Sequence, residues 1–80
     1  MKHELRKFIV ENYLFGRDDG FAEDDSFIER GILDSTGVME LITFVEQRYG
    51  VKVEDHELLP ENLDSLTKLT RFLETKKYAA

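Results

Sequence analysis

Apolar side chains recur at helical spacing in three segments of the chain, at residues 4–14, 35–49 and 64–76. Within each segment they stand three or four positions apart, with polar and charged residues between them, as on one face of a helix. The positions that form these apolar stripes are Leu5, Phe8, Ile9, Tyr13, Val38, Leu41, Ile42, Val45, Tyr49, Leu66, Leu69, Phe72 and Leu73. Gly16 and Gly50 follow the first two segments, where glycine commonly ends a helix. The pattern predicts three amphipathic helices.

The segments between these helices lack a helical period. Residues 16–26 hold two glycines and five acids, and they predict a loop that Phe21 anchors to the core. Residues 26–29 have a capping-box sequence, which predicts one turn of helix. Residues 55–59 predict a further short helical turn that ends before Pro60.

Chain length and composition narrow the fold class. The chain has 80 residues, one proline and no cysteine. This length supports one small core, and without thiols neither disulfides nor cysteine metal sites can form. Arg71, Lys76 and Lys77 stand near the end of the last predicted helix, where they suit the helix dipole. We predict an all-α fold, a small four-helix bundle with three longer helices and one short one, as a single domain over residues 1–80.

Acidic residues outnumber basic ones by 17 to 11, which gives a net charge of −6. That sign excludes binding to nucleic-acid phosphates and favours partners with basic surfaces. The apolar runs are too short for a membrane span. The charged N-terminal sequence, residues 1–7, does not continue as a secretory signal, so we expect a cytoplasmic protein.

Catalytic and metal sites find little support in the sequence. The two histidines, His3 and His56, have no serine and third group beside them, as nucleophilic catalysis requires. In the acidic loop, aligning Gly20 with the invariant glycine of an EF-hand puts Phe15 at the first ligand position, where it cannot bind calcium. We predict no enzyme active site and no metal site.

Serine follows aspartate at three places, Asp25-Ser26, Asp34-Ser35 and Asp64-Ser65. Serine is a preferred helix N-cap, and we interpret Ser26 and Ser65 as caps only. Ser35 differs because it begins the strongest predicted helix as its N-cap, with the small residues Thr36 and Gly37 behind it. A phosphate bonded to Ser35 would face free backbone N–H groups and the positive end of the helix dipole. Ser35 is therefore the candidate for holding a phosphoester.

With these residues the chain resembles the acyl carrier proteins, a family that includes peptidyl and D-alanyl carrier proteins. The resemblance runs through Asp25-Ser26-Phe27, Gly31-Ile32-Leu33-Asp34-Ser35, and residues 38–46, 49–53 and 60–66. It implies a non-catalytic four-helix bundle whose serine carries a 4'-phosphopantetheine arm, on which acyl or aminoacyl groups are held as thioesters. By this resemblance Ser35 is the attachment residue, and Asp34 is the acid that the modifying transferase recognises.

The resemblance also implies partner enzymes. These are a phosphopantetheinyl transferase, an acyl or aminoacyl ligase, and downstream synthases with basic docking surfaces. The implied docking residues lie on the helix after Ser35 and are Thr36, Met39, Glu40, Thr43, Glu46 and Gln47. Met39 and Phe44 are open to a second interpretation, in which they widen the buried face of the helix.

Five positions depart from the carriers of fatty acid synthesis. Thr36 replaces a common apolar residue, Gly37 an acid, and Thr43 a frequent methionine. Gln47 and Arg48 weaken the acidic stripe of the docking helix. These departures favour a stand-alone carrier in a specialised pathway (polyketide, nonribosomal peptide or aminoacyl transfer) over fatty acid synthesis. The resemblance to carriers also implies a monomer. The alternative function is an unmodified helical protein–protein interaction module with the same bundle.

Overall fold

The computed structural model describes residues 1–18 and 20–79, with side chains through residue 76. The helices are α1 (Lys2–Tyr13), α2 (Ser35–Tyr49), α3 (Pro60–Leu63) and α4 (Leu66–Ala79), with a 3-10 turn at Asp55–Glu57 before α3. No residue of the described ranges lies in a β-strand. The predicted all-α bundle of three longer helices and one short helix is confirmed. None of these helices is long and apolar enough to cross a membrane.

The predicted short turns are present, but the short helix α3 was not predicted. The turn expected within residues 55–59 is the 3-10 turn at residues 55–57, which a capping box between Glu54 and Glu57 closes. Pro60 follows it and begins α3, because its fixed φ and missing N–H suit the first position of a helix. The turn expected at residues 26–29 is a hydrogen-bonded turn over residues 27–31, in which the N–H of Arg30 donates to the carbonyl of Ser26 at 3.0 Å. The predicted role of the Lys77 side chain lies outside the described residues.

The core combines the apolar stripes of α1, α2 and α4 with residues of the long loop. Phe21 and Phe27 are 1% and 0% exposed, and their rings meet edge to face at 6.4 Å. The Arg6 guanidinium lies 4.1 Å from the Phe21 ring and donates a hydrogen bond to the Phe21 carbonyl. The prediction that Phe21 anchors the loop is confirmed.

Helices α1 and α2 run antiparallel, as two side-chain contacts show. The Tyr49 hydroxyl near the end of α2 donates to Glu4 near the start of α1 at 3.0 Å. At the other end, the hydroxyl of Tyr13 donates to Glu40. The end of α1 therefore lies beside the start of α2, where Ser35 stands.

Candidate functional site

The start of α2 is fixed by Asp34, which is its N-cap. Asp34 has an extended backbone (φ −95°, ψ −175°), and its Oδ1 accepts the N–H of Gly37 at 2.7 Å. Ser35 is the first residue of the helix itself. The prediction that Ser35 is the cap was wrong, because the carboxylate one residue earlier already takes the N–H group that a cap hydroxyl would accept.

The other two serines of the Asp-Ser pairs have their hydroxyls engaged. Ser26 Oγ accepts the N–H of Glu29 at 3.1 Å and donates to Asp64. Ser65 is 1% exposed, and its Oγ accepts the N–H of Lys68 at 3.0 Å in the first turn of α4. The interpretation of both serines as caps is confirmed, although Ser26 caps a turn rather than a helix.

Ser35 is exposed, and its hydroxyl has no hydrogen-bond partner within the described ranges. Of the first four N–H groups of α2, that of Gly37 is bonded to the Asp34 side chain and that of Val38 to the Asp34 carbonyl at 2.9 Å. The N–H groups of Ser35 and Thr36 are left without an acceptor in this part of the chain, and such groups at a helix start attract anions. The exposed Ser35 hydroxyl can therefore be the site of a phosphoester, whose oxygens the N–H groups of Ser35 and Thr36 can bind.

Gly37 is a packing position. A Cβ built there would lie 3.3 Å from Cε1 of Tyr13 and 3.3 Å from Cδ2 of Leu33. Burial and then the hydrogen bond to Glu40 raise the pKa of Tyr13 to about 12. The sequence suggested only that Gly37 leaves Ser35 accessible, because no local pattern shows that an α1 side chain lies against it.

A groove of about 460 Å³ adjoins Ser35, between α2, the turn at residues 26–29 and the segment at residues 58–64. Its apolar lining consists of Ile28, Val38, Met39, Leu58, Leu59, Pro60 and Leu63. Ile28, Met39 and Leu59 are 50%, 48% and 42% exposed, which makes them three of the four exposed large apolar side chains in the described ranges. The fourth, Phe15, is 94% exposed and does not line the groove. The groove beside Ser35 therefore holds three of these four side chains.

The two acids among the predicted docking residues have partners within the chain. Glu40 accepts the Tyr13 hydroxyl. Glu46 is half-buried, and its Oε2 accepts the N–H of Val53 at 2.9 Å, which attaches the segment after α2 to that helix. Docking at these positions stays a prediction, and the structure adds an internal role for both.

The other predicted docking residues are exposed: Thr36, Met39, Thr43 and Gln47. Met39 lines the groove, whereas Phe44 is half-buried and stacks on Phe8 with ring centroids 4.2 Å apart. For Met39 and Phe44, partner docking and core packing were both open, and the structure gives a different answer for each residue. Phe44 widens the buried face, and Met39 is accessible to a ligand or partner.

The sequence profile of a family described as "Phosphopantetheine attachment site" matches residues 14–73, which is most of the chain. The chain belongs to this phosphopantetheine-binding carrier family. Its prosthetic group is 4'-phosphopantetheine, and its members carry cargo for enzymes rather than catalyse reactions themselves. The resemblance drawn from the Asp34-Ser35 context is confirmed.

Similar proteins agree with the family assignment. The carrier is 30% identical over 77 residues to the D-alanyl carrier protein of Streptococcus pyogenes serotype M5 (strain Manfredo), a match that covers 94% of this chain and 98% of the relative. Proteins of the same name from serotype M49 (strain NZ131) and serotype M1 match equally well. Among solved structures, a chain from a "Crystal structure of FAD-dependent dehydrogenase" matches with a TM-score of 0.74 and 32% identity, over 85% of this chain and 96% of that one.

The polar lining of the carrier's groove is acidic. Besides Ser26 and Ser35 it contains Glu29 and Asp64, and the described lining includes no lysine, arginine or histidine. Asp64 is fixed, because its two oxygens accept the Ser26 hydroxyl and the N–H of Ile28 at 3.2 Å. The carboxylate of Glu29 has no partner among the residues described.

Proposed function

We propose that this carrier bears its phosphopantetheine arm on Ser35 and presents an aminoacyl or small acyl cargo to partner enzymes, with residues 1–80 acting as one monomeric carrier domain. One observation carries the proposal. Of the serines in the three Asp-Ser pairs, Ser35 alone combines an exposed hydroxyl, no hydrogen-bond partner among the described residues, and a helix start with unpaired N–H groups.

The attachment step needs little from the chain itself. Ser35 Oγ bonds to phosphorus of coenzyme A and passes its proton to a base on the transferase, while the P–O bond to adenosine 3',5'-bisphosphate breaks. Asp34 holds the first turn of α2 in place, so that Ser35 stays exposed and the N–H groups of Ser35 and Thr36 stay available to phosphate oxygens. The bound arm supplies a thiol, on which the cargo is held as a thioester.

The groove gives the arm a place to lie. Ser35 forms part of the groove wall, so an arm bonded to its Oγ starts inside the groove. The apolar wall is contributed by α2, by Ile28 of the turn at residues 26–29, and by residues 58–63. Burying part of the arm and cargo there removes apolar surface from water, at about 25 cal/mol per Å².

The similar proteins support aminoacyl transfer as the pathway. The D-alanyl carrier proteins match nearly the full length of the chain, and their name states an aminoacyl cargo. The departures from the fatty-acid carriers at Thr36, Gly37 and Thr43 also favour a specialised pathway such as aminoacyl transfer. The proposed partners are a phosphopantetheinyl transferase and an aminoacyl ligase with basic docking surfaces, which the net charge of −6 suits. We place these reactions in the cytoplasm, where coenzyme A is made.

The solved structure supports a second candidate, in which a flavin enzyme acts on the cargo. That structure is described as one of a FAD-dependent dehydrogenase, and the matched chain is almost wholly covered by this one, so it has the size of a carrier. A flavin dehydrogenase could oxidise the cargo beside its thioester, since a base removes the α proton and FAD accepts hydride from the β carbon. The cargo would gain a C=C bond, and FAD would become FADH⁻.

Intact-mass spectrometry after incubation with coenzyme A and a broad-specificity phosphopantetheinyl transferase tests attachment. One phosphopantetheine should add to the wild type and to Ser26→Ala, and none to Ser35→Ala. The Ser26→Ala control removes a serine from a second Asp-Ser pair. If the wild type stayed unmodified while a known carrier was modified, the unmodified interaction module would replace this proposal.

The two cargo candidates are separated by charging the modified protein. With ATP, D-alanine and the ligase of a D-alanyl carrier protein, the mass should rise by one alanyl group on the wild type and on Ser26→Ala, but not on Ser35→Ala. A propionyl-loaded carrier incubated with a carrier-dependent flavin dehydrogenase tests the second candidate, since oxidation lowers the mass by two hydrogens. No charging with D-alanine combined with propionyl oxidation would replace aminoacyl transfer by the second candidate.

A further inference from the structure

The acids of the groove differ in how they are bound. The Asp64 carboxylate accepts hydrogen bonds from Ser26 and Ile28, so it joins the turn at residues 26–29 to the segment before α4. Glu29 contributes only its backbone N–H to that turn, through the hydrogen bond to Ser26 Oγ. Its neighbour Arg30 donates to Asp25 at 2.8 Å. The Glu29 carboxylate therefore lies at the groove without a structural task among the described residues.

This charge arrangement distinguishes classes of cargo. Two carboxylates in an apolar-walled groove without a basic residue in its described lining give a negative potential, which low-dielectric walls strengthen. An aminoacyl cargo carries an α-ammonium group and is attracted. A cargo that ends in a carboxylate is repelled, and a plain acyl chain gains only apolar contact.

We propose that Glu29 is the residue that selects amine-bearing cargo, and that its carboxylate pairs with the α-ammonium group of an aminoacyl group on the arm. The inference rests on the proposed function, because it requires the arm on Ser35. The tether raises the local concentration of the ammonium group at the groove, so a weak exposed pair is populated without further contacts. Glu29 is a positioning residue for the cargo and takes no part in bond making.

The test measures the pKa of the cargo's own amine. A broad-specificity transferase loads the protein from a coenzyme A analogue in which a ¹⁵N-alanyl group is bonded to the arm as an amide, which does not hydrolyse as a thioester does. NMR then follows the alanyl amine through a pH titration at low salt. Glu29→Gln should lower the amine pKa by about 0.2–0.7 unit, the shift that corresponds to an exposed ion pair. High salt should reduce the difference between wild type and variant.

The matched control is Glu61→Gln, which removes the same charge from an exposed acid of α3 that does not line the groove. It should leave the amine pKa nearly unchanged. Equal shifts in both variants would mean that overall charge acts instead of a specific pair, and would overturn the inference. No shift in either variant would also overturn it, while leaving the arm on Ser35 intact. Failure of the arm to attach would show in the mass spectrum and overturn the proposed function with it.

Discussion

Asp34→Ala should destabilise the carrier clearly, and Ser35→Ala should hardly change its stability. Asp34 Oδ1 accepts the N–H of Gly37 at 2.7 Å, and its charge stands at the positive end of α2. Losing an N-cap costs about 1 kcal/mol, and losing an acid at a helix start costs about 0.3–1 kcal/mol more. Ser35→Ala removes a hydroxyl without a partner in the described ranges and introduces a better helix former, so its effect should stay within about 0.5 kcal/mol.

Thermal and urea unfolding followed by far-UV circular dichroism measure these differences. For a domain of this size, 1 kcal/mol corresponds to about 4–8 °C in Tm. Asp34→Ala should therefore lower Tm by roughly 5–16 °C, and Ser35→Ala should change it by less than about 4 °C. Ser65→Ala is the matched control, because the Ser65 hydroxyl is itself a cap and accepts the N–H of Lys68 at 3.0 Å.

The ranking of the three variants decides between two descriptions of the helix start. If Ser35→Ala cost as much as Ser65→Ala, the serine rather than the aspartate would be the cap of α2. If Asp34→Ala were neutral, the hydrogen bond to Gly37 would not stabilise the helix. Capping by Asp34 would then not explain why the Ser35 hydroxyl is exposed.

Three further changes test other parts of the structure. Thr70→Val should raise the urea midpoint by an amount equivalent to about 1 kcal/mol, because Thr70 Oγ1 is buried without a partner in the described part of the chain; a lower midpoint would contradict this. Gly37→Val should cost about 1–3 kcal/mol in the same assay, since its side chain must displace the Tyr13 ring, and an unchanged midpoint would show that the ring yields freely. The side chain of Lys76, and then the Glu54 N–H, lower the pKa of Glu57. The ionised Glu57 carboxylate therefore stabilises the fold fully above the usual glutamate pKa of about 4.3, and this stability is lost as pH falls through the lower pKa of the folded state. Lys76→Met should flatten the decline of the urea midpoint below about pH 5. An unaltered slope would show that the Lys76–Glu57 ion pair does not stabilise the fold.

The longer helices were predictable because their apolar residues repeat with the period of a helix. Residues of all three stripes, such as Ile9, Leu41 and Leu69, are 0% exposed. The helix that begins at Pro60 was not predicted, because a proline can follow one helix or begin the next and sequence spacing does not distinguish the two cases. The cap of α2 was misassigned because Asp34 and Ser35 are adjacent and both are good caps.

The candidate site was predictable only in its local part. Ser35 could be singled out because its position at a helix start is a property of the neighbouring sequence. The contacts of Gly37 with Tyr13 and of Glu46 with Val53 could not be predicted, because Tyr13 and Val53 lie on other segments of the chain. The groove likewise depends on how residues 58–63 pack beside α2, which no periodicity encodes.

Peptide mapping of the modified protein tests attachment at Ser35 most directly. Trypsin cleaves after Arg17, Arg30, Arg48, Lys52 and Lys68, so residues 18–30, 31–48 and 53–68 form separate peptides, each with one of the three Asp-Ser serines. The phosphopantetheine should be found on the peptide of residues 31–48, whose single serine is Ser35. Its presence on the peptide that contains Ser26 or Ser65 would contradict the assignment of the carrier's attachment site.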